Sequence, residues 1–479
     1  MQQTFYFYDL ETSGVIPKTS RVLQFAGQRT DMQLKPVSPP DNIFIRLSED
    51  ILPEPDAILI NGITPQKTRT DGISEAEFLR YFQKNISLPG TIFTGFNSIR
   101  FDDEFMRYMH YRNFYDPYEW SWKDGRSRWD ILDVVRMTRA LRPEGIEWPV
   151  DSSGKPTNRL EYLTRLNKLE HEDAHDALSD VNATIAVARM IYNKQPKLFN
   201  FLLEYRDKKK IAELAANGQS FVYSSGKYPS LYHKTTVVTV LGPHPGKQGV
   251  LVYDLRTDPE ILKAMIPAEM AKVWMERVED ETKRFPVKTL QFNRCPAVAP
   301  LSVLDKASRE RISIDPSIIT NHKNALTKHP DLYERLLSAL TIMDKQQQGK
   351  FLVDEQDVDC QLYEGFFDER DKTGMSVVRA AEAEEVNSLD MQFTDERLNK
   401  LLPLYKARNF PDSMTHDERI SWEAFRYHKL MGGGAKSLAS HYFMRLSELA
   451  KRQRLSSEQQ YLLEELQLYG ESILPEPDL

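Results

Sequence analysis

The first segment of the chain joins an apolar strand to two acidic residues, and this combination restricts the possible folds most strongly. The segment of residues 4–10 (Thr-Phe-Tyr-Phe-Tyr-Asp-Leu) is short and rich in aromatic residues, which predicts a buried β-strand. Asp9 and Glu11 are two positions apart, so their side chains project from the same face of that strand. An isolated Asp-x-Glu pair is more often a solvated edge than a metal site. The apolar residues before it favour a central strand, however, and α/β sheets bind ligands at the carboxyl ends of such strands.

A second acidic motif follows a short predicted strand at Thr91–Gly95. Asp102 and Asp103 stand at the start of a predicted helix, where one of the two is expected only to complement the helix dipole. Asn97 lies between the strand and the helix, close enough to the strand end to orient a substrate or the loop. This motif alone is not distinctive.

A third motif contains His175 and Asp180, which are five residues apart. If His175 lies just before a helix or in its first turn, both side chains can face one cleft. A single histidine is usually a structural residue, so the motif gains weight only from the two before it. Carboxylates gathered in one cleft repel each other and stay ionised together when divalent cations neutralise them. We therefore predict a metal site that contains Asp9, Glu11, Asp102 and Asp180.

The size and composition are those of a globular protein. With 479 residues the chain is long enough for two to four domains. We find no run of about 18 apolar residues and no signal-peptide pattern, so no membrane segment is expected. Cys295 and Cys360 form no Cys-x-x-Cys pair, which argues against a zinc site and a disulfide framework. These features predict a cytoplasmic enzyme.

The charge distribution leaves room for a nucleic-acid partner. The net charge of −7 argues mildly against one. Residues 196–256, however, contain nine Lys or Arg and four Asp or Glu, including the run Lys208, Lys209 and Lys210. An acidic protein can bind DNA through one basic groove. The alternative is that this lysine run is a solvated helix face.

The order of predicted elements divides the chain into three regions. Residues 1–195 alternate strands with helices, which predicts an α/β domain with a mixed sheet. Residues 196–350 contain strands separated by turns, which predicts a small β-barrel or sheet domain. Residues 351–479 are almost entirely helical in pattern.

Local signals within these regions predict individual elements. Ser74 and Glu77 are placed as a capping box at the start of a helix. The segment Trp129–Leu141 is expected to be one amphipathic element, and Pro259–Val278 is expected to be helical. The segment Leu438–Leu468 predicts a paired antiparallel helical region.

Taken together, the three motifs resemble the DEDDh family of 3′→5′ exonucleases, which has the ribonuclease H-like fold. That family requires five residues in this order, and the chain has Asp9, Glu11, Asp102, His175 and Asp180. The chain departs from the expected pattern at Leu10, where an aromatic residue is usual between the two acids. Five further segments resemble those of the bacterial exodeoxyribonuclease I family: residues 99–104, 111–118, 140–145, 362–367 and 407–411.

This resemblance implies a fold, a reaction and a cofactor. The fold is a ribonuclease H-like exonuclease domain, an SH3-like β-barrel domain and an α-helical C-terminal domain. The reaction is removal of 5′-mononucleotides from the 3′ end of single-stranded DNA, in DNA repair and recombination. The cofactor is two Mg²⁺ ions, for which Mn²⁺ can substitute.

The resemblance also implies a role for each motif residue. Asp9 would bridge both ions, and Glu11 and Asp180 would help to hold the ion that carries the attacking water. Asp102 would support the second ion, and His175 would act as the general base.

A stretch of aromatic and basic residues after Asn97 predicts the DNA contacts, because single strands bind grooves that combine backbone charge with base stacking. The predicted contacts are Asn97, Arg100, Arg107, Tyr108, Arg112, Tyr115, Trp122, Arg128 and Arg159. The resemblance implies a second partner, the acidic tail of the single-stranded DNA-binding protein, for which Arg142 is the predicted carboxylate ligand. We expect a monomer that encloses its strand.

Three alternatives stay open at the level of sequence. One is a DEDDh exonuclease that acts on RNA or proofreads for a polymerase, although the additional regions argue against a compact RNA-trimming enzyme. Another is a nucleic-acid-binding adaptor without catalysis, which predicts the loss of at least one metal ligand. A third is a repair scaffold whose helical C-terminus recruits partners, which could coexist with catalysis.

Overall fold

The first sheet of the protein has the acidic strand at its centre. The computed structural model describes residues 3–169, 176–348, 357–386, 389, 391–452 and 454–475. Within these residues, the sheet has the strand order β3-β2-β1-β4-β5. Its strands are β1 (Thr4–Thr12), β2 (Val22–Thr30), β3 (Asp41–Phe44), β4 (Thr91–Gly95) and β5 (Ser127–Asp130). The prediction of a mixed sheet with a central first strand is confirmed.

The register of β1 places its carboxylates beyond the parallel part of the sheet. Strand β1 is antiparallel to β2 and parallel to β4. Its pairing with β4 ends at Phe7, which lies beside Thr94. Asp9 and Glu11 continue past that point and pair only with β2, where Glu11 lies beside Gln24. The two acids therefore project at the carboxyl end of β4.

The two faces of β1 contact different cores. Phe5 and Phe7 pack into the larger core, which includes the helices on one face of the sheet. Tyr8 and Leu10 pack on the opposite face within a smaller aromatic core. Since side chains alternate along a strand, Asp9 and Glu11 share the face of Phe5 and Phe7. Leu10 points away from the carboxylates, so the departure from the expected motif lies outside the carboxylate cluster.

The helices of this first region largely follow the predicted order. They are α1 (Pro55–Asn61), α2 (Pro65–Asp71), α3 (Glu75–Tyr81), α4 (Asp102–Arg112), α5 (Ile131–Leu141), α6 (Leu160–Leu166) and α7 (Ala177–Lys194). The capping box of Ser74 and Glu77 is present at the start of α3. The single element predicted at Trp129–Leu141 is wrong at its start, because the chain is strand until Asp130, whose side chain then caps α5.

The middle region contains an antiparallel sheet flanked by helices. Its strand order is β10-β6-β7-β8-β9 within the described residues. The strands are β6 (Phe221–Ser224), β7 (Thr235–Pro243), β8 (Gly249–Asp254), β9 (Val287–Gln291) and β10 (Ala297–Pro300). The helices are α8 (Pro196–Glu204), α9 (Lys208–Ala216), α10 (Pro267–Met275), α11 (Lys306–Arg311), α12 (Pro316–Leu326) and α13 (Leu332–Gln348). The helical segment predicted at Pro259–Val278 is divided in the structure into a 3₁₀ turn at Pro259–Leu262 and α10, because Pro267 starts a new helix.

The final region is helical, as predicted. Its helices are α14 (Glu369–Ala380), α15 (Ala383–Val386), α16 (Glu396–Asn409), α17 (His416–Met431), α18 (Leu438–Ala450) and α19 (Ser457–Ile473). The predicted helical pair at Leu438–Leu468 is formed by α18 and α19, and the Tyr442 hydroxyl donates a hydrogen bond to the Leu466 carbonyl at 2.7 Å.

The last two helices share a core with the first region. Leu23 and Ile58 of the first region lie in one buried cluster with Leu446, Leu466 and other residues of α18 and α19. The C-terminal region is therefore packed against the first region through apolar side chains. Among the described residues, none of the helices has the length and apolar character that a membrane crossing requires.

Candidate active site

Three predicted carboxylates come together at the end of β1. One oxygen from each of Asp9, Glu11 and Asp180 lies within 4.8 Å of the other two. Strand β1 supplies two of these side chains, and Asp180 lies in the first turn of α7. All three residues are half-buried. These hard oxygen donors fit a divalent cation of the Mg²⁺ class.

The electrostatics of this group also fit a cation. The pKa of Asp9 is raised well above its ordinary value by burial and then by the charges of Asp102 and Asp180. Burial and the charges of Asp9 and Asp180 raise the pKa of Glu11 to about 9, against the lowering effect of a hydrogen bond from Asn61. Without a neutralising charge, these carboxylates resist full ionisation near neutral pH.

Asp102 lies at the edge of this group. It is 4% exposed and is the first residue of α4. Burial raises its pKa, and the charges of Asp103, Asp130 and Glu11 add to the increase. Asp102 does not belong to the three residues whose oxygens lie within 4.8 Å of one another. Among the neighbouring charges, however, that of Asp102 raises the pKa of Asp9 most. His175 lies outside the described residues.

One acidic neighbour was missed by the sequence prediction. Asp176 caps α7 by accepting a hydrogen bond from the Ser179 amide at 3.0 Å, and Gln24 donates to the same carboxylate at 3.3 Å. The charge of Asp176 raises the pKa of both Asp9 and Glu11. Its position before a helix is a recognisable N-cap signal, although that signal says nothing about the metal site.

A basic cavity of about 990 Å³ is lined by residues of all three regions, and Asp9, Glu11, Asp102 and Asp180 are not among them. Arg128 links this cavity to the acidic motif of α4, because it lines the cavity and pairs with Asp103, the neighbour of Asp102. The cavity wall carries eight Lys or Arg residues and only Glu204 and Asp207 as acids. The basic residues are Arg107, Arg126, Arg128, Arg206, Lys208, Lys210, Lys247 and Arg294. Because all three regions contribute to the wall, the cavity is a property of the whole fold.

Three of the predicted DNA contacts line this cavity: Arg107, Trp122 and Arg128. Trp122 is exposed, as a stacking residue must be. Arg107 is buried and donates to Glu104 at 2.7 Å, so its guanidinium already has a partner in the protein.

Two predicted DNA contacts are wrong. The Arg112 side chain is 2% exposed and pairs with Glu75 at 2.8 Å. Tyr108 is 7% exposed and packs in the core shared with the C-terminal region. Both residues stabilise the interior, so neither presents a surface to a nucleic acid.

The remaining predicted contacts lie outside the cavity wall. The Asn97 amide donates to Asp130 at 2.9 Å, and Arg100 pairs with Asp133 at 2.8 Å. Tyr115 lines a separate groove, and the Arg159 side chain is exposed beside α6. Their role in DNA binding stays a prediction.

The sequence prediction missed the two aromatic residues that the C-terminal region contributes to the cavity wall. Tyr363 and Phe366 belong to the C-terminal region, and Phe366 is 88% exposed. The segment Leu362–Phe367 is one of those that carry the family resemblance, which was the available signal. This segment lies more than 230 residues after the aromatic stretch around Trp122, so the sequence alone does not predict that the two line one cavity.

Comparison with known proteins identifies the family over most of the chain. Residues 6–188 match the family described as Exonuclease. Residues 206–341 match the Exonuclease I SH3-like domain, and residues 356–473 match the Exonuclease I C-terminal domain. The chain belongs to the exonuclease I family. Membership makes it an exonuclease, which disfavours the adaptor without catalysis.

Individual members of the exonuclease I family match nearly the whole chain. Exodeoxyribonuclease I of Haemophilus influenzae is 38% identical over 478 residues, which cover 98% of this chain and 99% of the relative. The zinc-bound form of an Escherichia coli exonuclease I–ssDNA complex is 34% identical, covering 99% of this chain and 100% of that one with a TM-score of 0.90. The exonuclease I of an ExoI/SSB-Ct complex is 34% identical with the same coverage and a TM-score of 0.89.

The predicted partner residue of this exonuclease I family member, Arg142, lies between Asp102 and Asp180 in the sequence. Arg142 follows α5 and is partly exposed. Its guanidinium donates to the Val303 carbonyl at 2.9 Å and lies 3.2 Å from Asp305. Arg311 lies nearby and donates to the Ala140 carbonyl at 2.9 Å. Arg142 is therefore already paired with a carboxylate, that of Asp305, at the protein surface.

Proposed function

We propose that the protein degrades single-stranded DNA from its 3′ end and releases 5′-mononucleotides, in DNA repair and recombination. Two observations carry this proposal: the carboxylates Asp9, Glu11 and Asp180 form a candidate metal site, and Arg128 joins a basic, aromatic cavity to Asp103, the neighbour of Asp102. Phosphate groups would be attracted by the eight cations of the wall, while the carboxylates hold the reactive centre. The ssDNA bound to the related exonuclease I from E. coli supports the same substrate.

The metal of this site is proposed to be Mg²⁺, with Mn²⁺ as a substitute. Asp9, Glu11 and Asp180 offer only oxygen donors, and the raised pKa values of Asp9 and Glu11 fit a site in which cations replace protons. Two such ions would supply a nucleophilic water and stabilise the charge on the attacking and leaving oxygens.

The motif residues would divide the remaining work. Asp9, Glu11 and Asp180 would hold metal, and Asp102 would support a second ion. His175 would accept the proton of the attacking water, since its ordinary pKa of about 6.5 suits a general base near neutral pH.

The shape and chemistry of the cavity favour single strands. Trp122, Tyr363 and Phe366 are exposed aromatic side chains on its wall, on which unpaired bases could stack. Stacking on an aromatic face accepts any base, so binding would not depend on sequence. Paired bases in a duplex keep their faces covered and would lose this contact.

The decisive experiment is degradation of single-stranded DNA labelled at its 5′ end, with Mg²⁺, with EDTA, and with Asp9→Ala. We expect a ladder that shortens from the 3′ end in Mg²⁺ and is absent in EDTA and in the variant. Duplex DNA and RNA of the same sequence serve as substrate controls. If the wild type shifted the strand in a gel but left it whole, the proposal would be wrong.

We also propose that the protein binds the acidic tail of the single-stranded DNA-binding protein through Arg142. The ExoI/SSB-Ct complex of a relative supports such a partner. In this chain Arg142 would exchange the exposed carboxylate of Asp305 for one of the tail. Arg142→Gln should weaken binding of a fluorescent tail peptide about tenfold, within the range for a charged hydrogen bond. Unchanged peptide affinity in that variant would exclude Arg142 as the contact.

A further inference from the structure

The second acid of the Asp102–Asp103 pair is engaged by the protein itself. Asp103 is 1% exposed, and its carboxylate accepts hydrogen bonds from the Tyr8 hydroxyl and from the Arg128 guanidinium. Both carboxylate oxygens are therefore occupied, one by each donor. Asp103 is thus distinct from Asp102, whose charge acts on Asp9.

Arg128 continues this connection into the middle region. Its second amino group donates to the Asn293 carbonyl at 2.8 Å, and the Cys295 thiol donates to the Arg128 carbonyl at 3.2 Å. Asn293 and Cys295 belong to a turn at residues 292–295 that follows β9. The turn ends with Cys295 in the left-handed region at a φ of 43°, so its shape differs from that of a regular strand connection.

The same turn contacts the segment that carries Asp102 from a second direction. Arg294 donates to the Ile99 carbonyl at 3.3 Å and to the Glu104 carboxylate at 3.1 Å. Asp102 lies between these two residues in the chain. The turn at residues 292–295 is therefore fixed to both sides of Asp102, and all of its residues also line the basic cavity.

We propose that Asp103 and Arg128 are positioning residues, which hold Asp102 in place for metal binding by fixing it to the turn at residues 292–295. This inference rests on the proposed function and deepens it. Arg128 suits this role because one planar guanidinium bonds a carboxylate and a carbonyl at once, which a lysine ammonium on a flexible stem does not reproduce. Because the turn at residues 292–295 is also part of the cavity wall, the same turn holds both the wall and the segment that carries Asp102.

Two variants test the inference: Arg128→Lys, which keeps the charge, and Asp103→Asn, which keeps the shape. The first readout is binding of Mn²⁺ alone, followed by electron paramagnetic resonance without DNA. We expect both variants to bind Mn²⁺ about 10- to 100-fold more weakly, the usual effect of losing support behind a metal ligand. The turnover number should also fall, and in Arg128→Lys the affinity for single-stranded DNA in EDTA should fall by a smaller factor than the affinity for Mn²⁺, because the variant keeps the positive charge.

Lys247→Gln is the matched control, because Lys247 lines the same cavity and, within the described part of the chain, forms no hydrogen bond or ion pair with the Asp102 segment. It should weaken DNA binding and leave Mn²⁺ binding unchanged. Unchanged Mn²⁺ binding in both Arg128→Lys and Asp103→Asn, with only DNA affinity reduced, would overturn the inference and make Arg128 a simple DNA contact.

A further variant separates positioning from folding. Tyr8→Phe removes the other hydrogen bond to Asp103 and leaves the Arg128 contact in place. If circular dichroism shows that Asp103→Asn does not fold, the Mn²⁺ titration of Arg128→Lys and Tyr8→Phe tests whether the contacts of Asp103 position Asp102. Since this titration needs no DNA turnover, a wild type that binds Mn²⁺ but degrades no DNA would contradict only the proposed function.

Discussion

Arg408 of the C-terminal region donates a hydrogen bond at 2.7 Å to Asp50 of the exonuclease region, whose carboxylate is fully buried. Arg408 also donates to Asp359 at 2.7 Å, and Lys429 donates to Asp50 at 2.8 Å. Arg21 completes the group by donating to Asp359 at 2.6 Å. Although burial alone would raise the pKa of Asp50, the charges of Arg408 and Lys429 hold it well below its ordinary value. The two regions are thus joined by compensated buried charges.

We predict that Asp50→Asn destabilises the protein strongly. The substitution leaves Arg408 and Lys429 buried with fewer negative partners, and removing one member of a buried ion pair costs about 3–5 kcal/mol. Urea unfolding at pH 7 measures this loss. The control is Asp56→Asn, which removes the exposed pair with Arg445 and should cost less than about 1 kcal/mol. Equal effects of the two substitutions would contradict the prediction.

Glu11→Gln should stabilise the protein in the absence of metal at pH 8. The folded pKa of Glu11 is raised to about 9, above its unfolded value of about 4.3. The folded state therefore resists ionisation of Glu11, and metal-free stability falls as pH rises from about 4.3 to about 9. A neutral glutamine removes this penalty, so we expect the Tm in EDTA to rise by about 2 °C.

The same measurement with Mg²⁺ provides the control for Glu11→Gln. Mg²⁺ must displace a proton to bind ionised Glu11, so it should stabilise the wild type more at pH 8 than at pH 6. The variant should show a smaller pH dependence, although not none, because the pKa of Asp9 is raised as well. A wild-type Tm in EDTA that is constant between pH 6 and pH 8 would show that Glu11 is ionised without metal.

Phe366→Ala should weaken binding of single-stranded DNA by about 1–3 kcal/mol, the usual value of one base stacked on an aromatic side chain. Phe366 is the most exposed aromatic residue of the cavity wall among the described residues. Fluorescence anisotropy with a labelled oligonucleotide in EDTA measures the affinity. Tyr461→Ala removes an exposed aromatic side chain that does not line the cavity and should have no effect. Equal affinities of the wild type and Phe366→Ala would exclude stacking at this position.

Lys208→Gln should reduce the salt dependence of DNA binding. Lys208 lines the cavity, and each phosphate contact with a single strand contributes about 0.7 to the slope of log K against log salt. Titrations at several NaCl concentrations should therefore give a slope smaller by about 0.7. Lys306→Gln removes an exposed lysine outside the cavity and should leave the slope unchanged. An unaltered slope for Lys208→Gln would mean that this lysine faces solvent only.

The sequence predicts best where local geometry decides the structure. Asp9 and Glu11 share a face because the side chains of a strand alternate, whatever surrounds it. The capping box of Ser74 and Glu77 forms because its hydrogen bonds are made within four residues. Asp102 and Asp180 lie near β1 because each stands in the first turn of its helix, α4 or α7, and both helices begin at the same edge of the sheet.

The sequence predicts poorly where distant segments meet. Arg112 and Arg128 stand in the same aromatic, basic stretch, yet one is buried against Glu75 and the other lines the cavity. Composition could not separate them, because their environments depend on packing against other parts of the chain. The same limit applies to Phe366, whose exposure beside Trp122 depends on the position of the C-terminal region.

The core that joins α1 to α18 and α19 has a consequence for the order of events during synthesis. Leu23 and Ile58 emerge from the ribosome early, but their partners Leu466 and Ile473 follow about 400 residues later. At about 5–20 residues per second, the growing chain keeps this apolar surface uncovered for tens of seconds. The catalytic region therefore completes its packing only after residue 473 has left the ribosome, and until then its exposed surface is a natural target for chaperones.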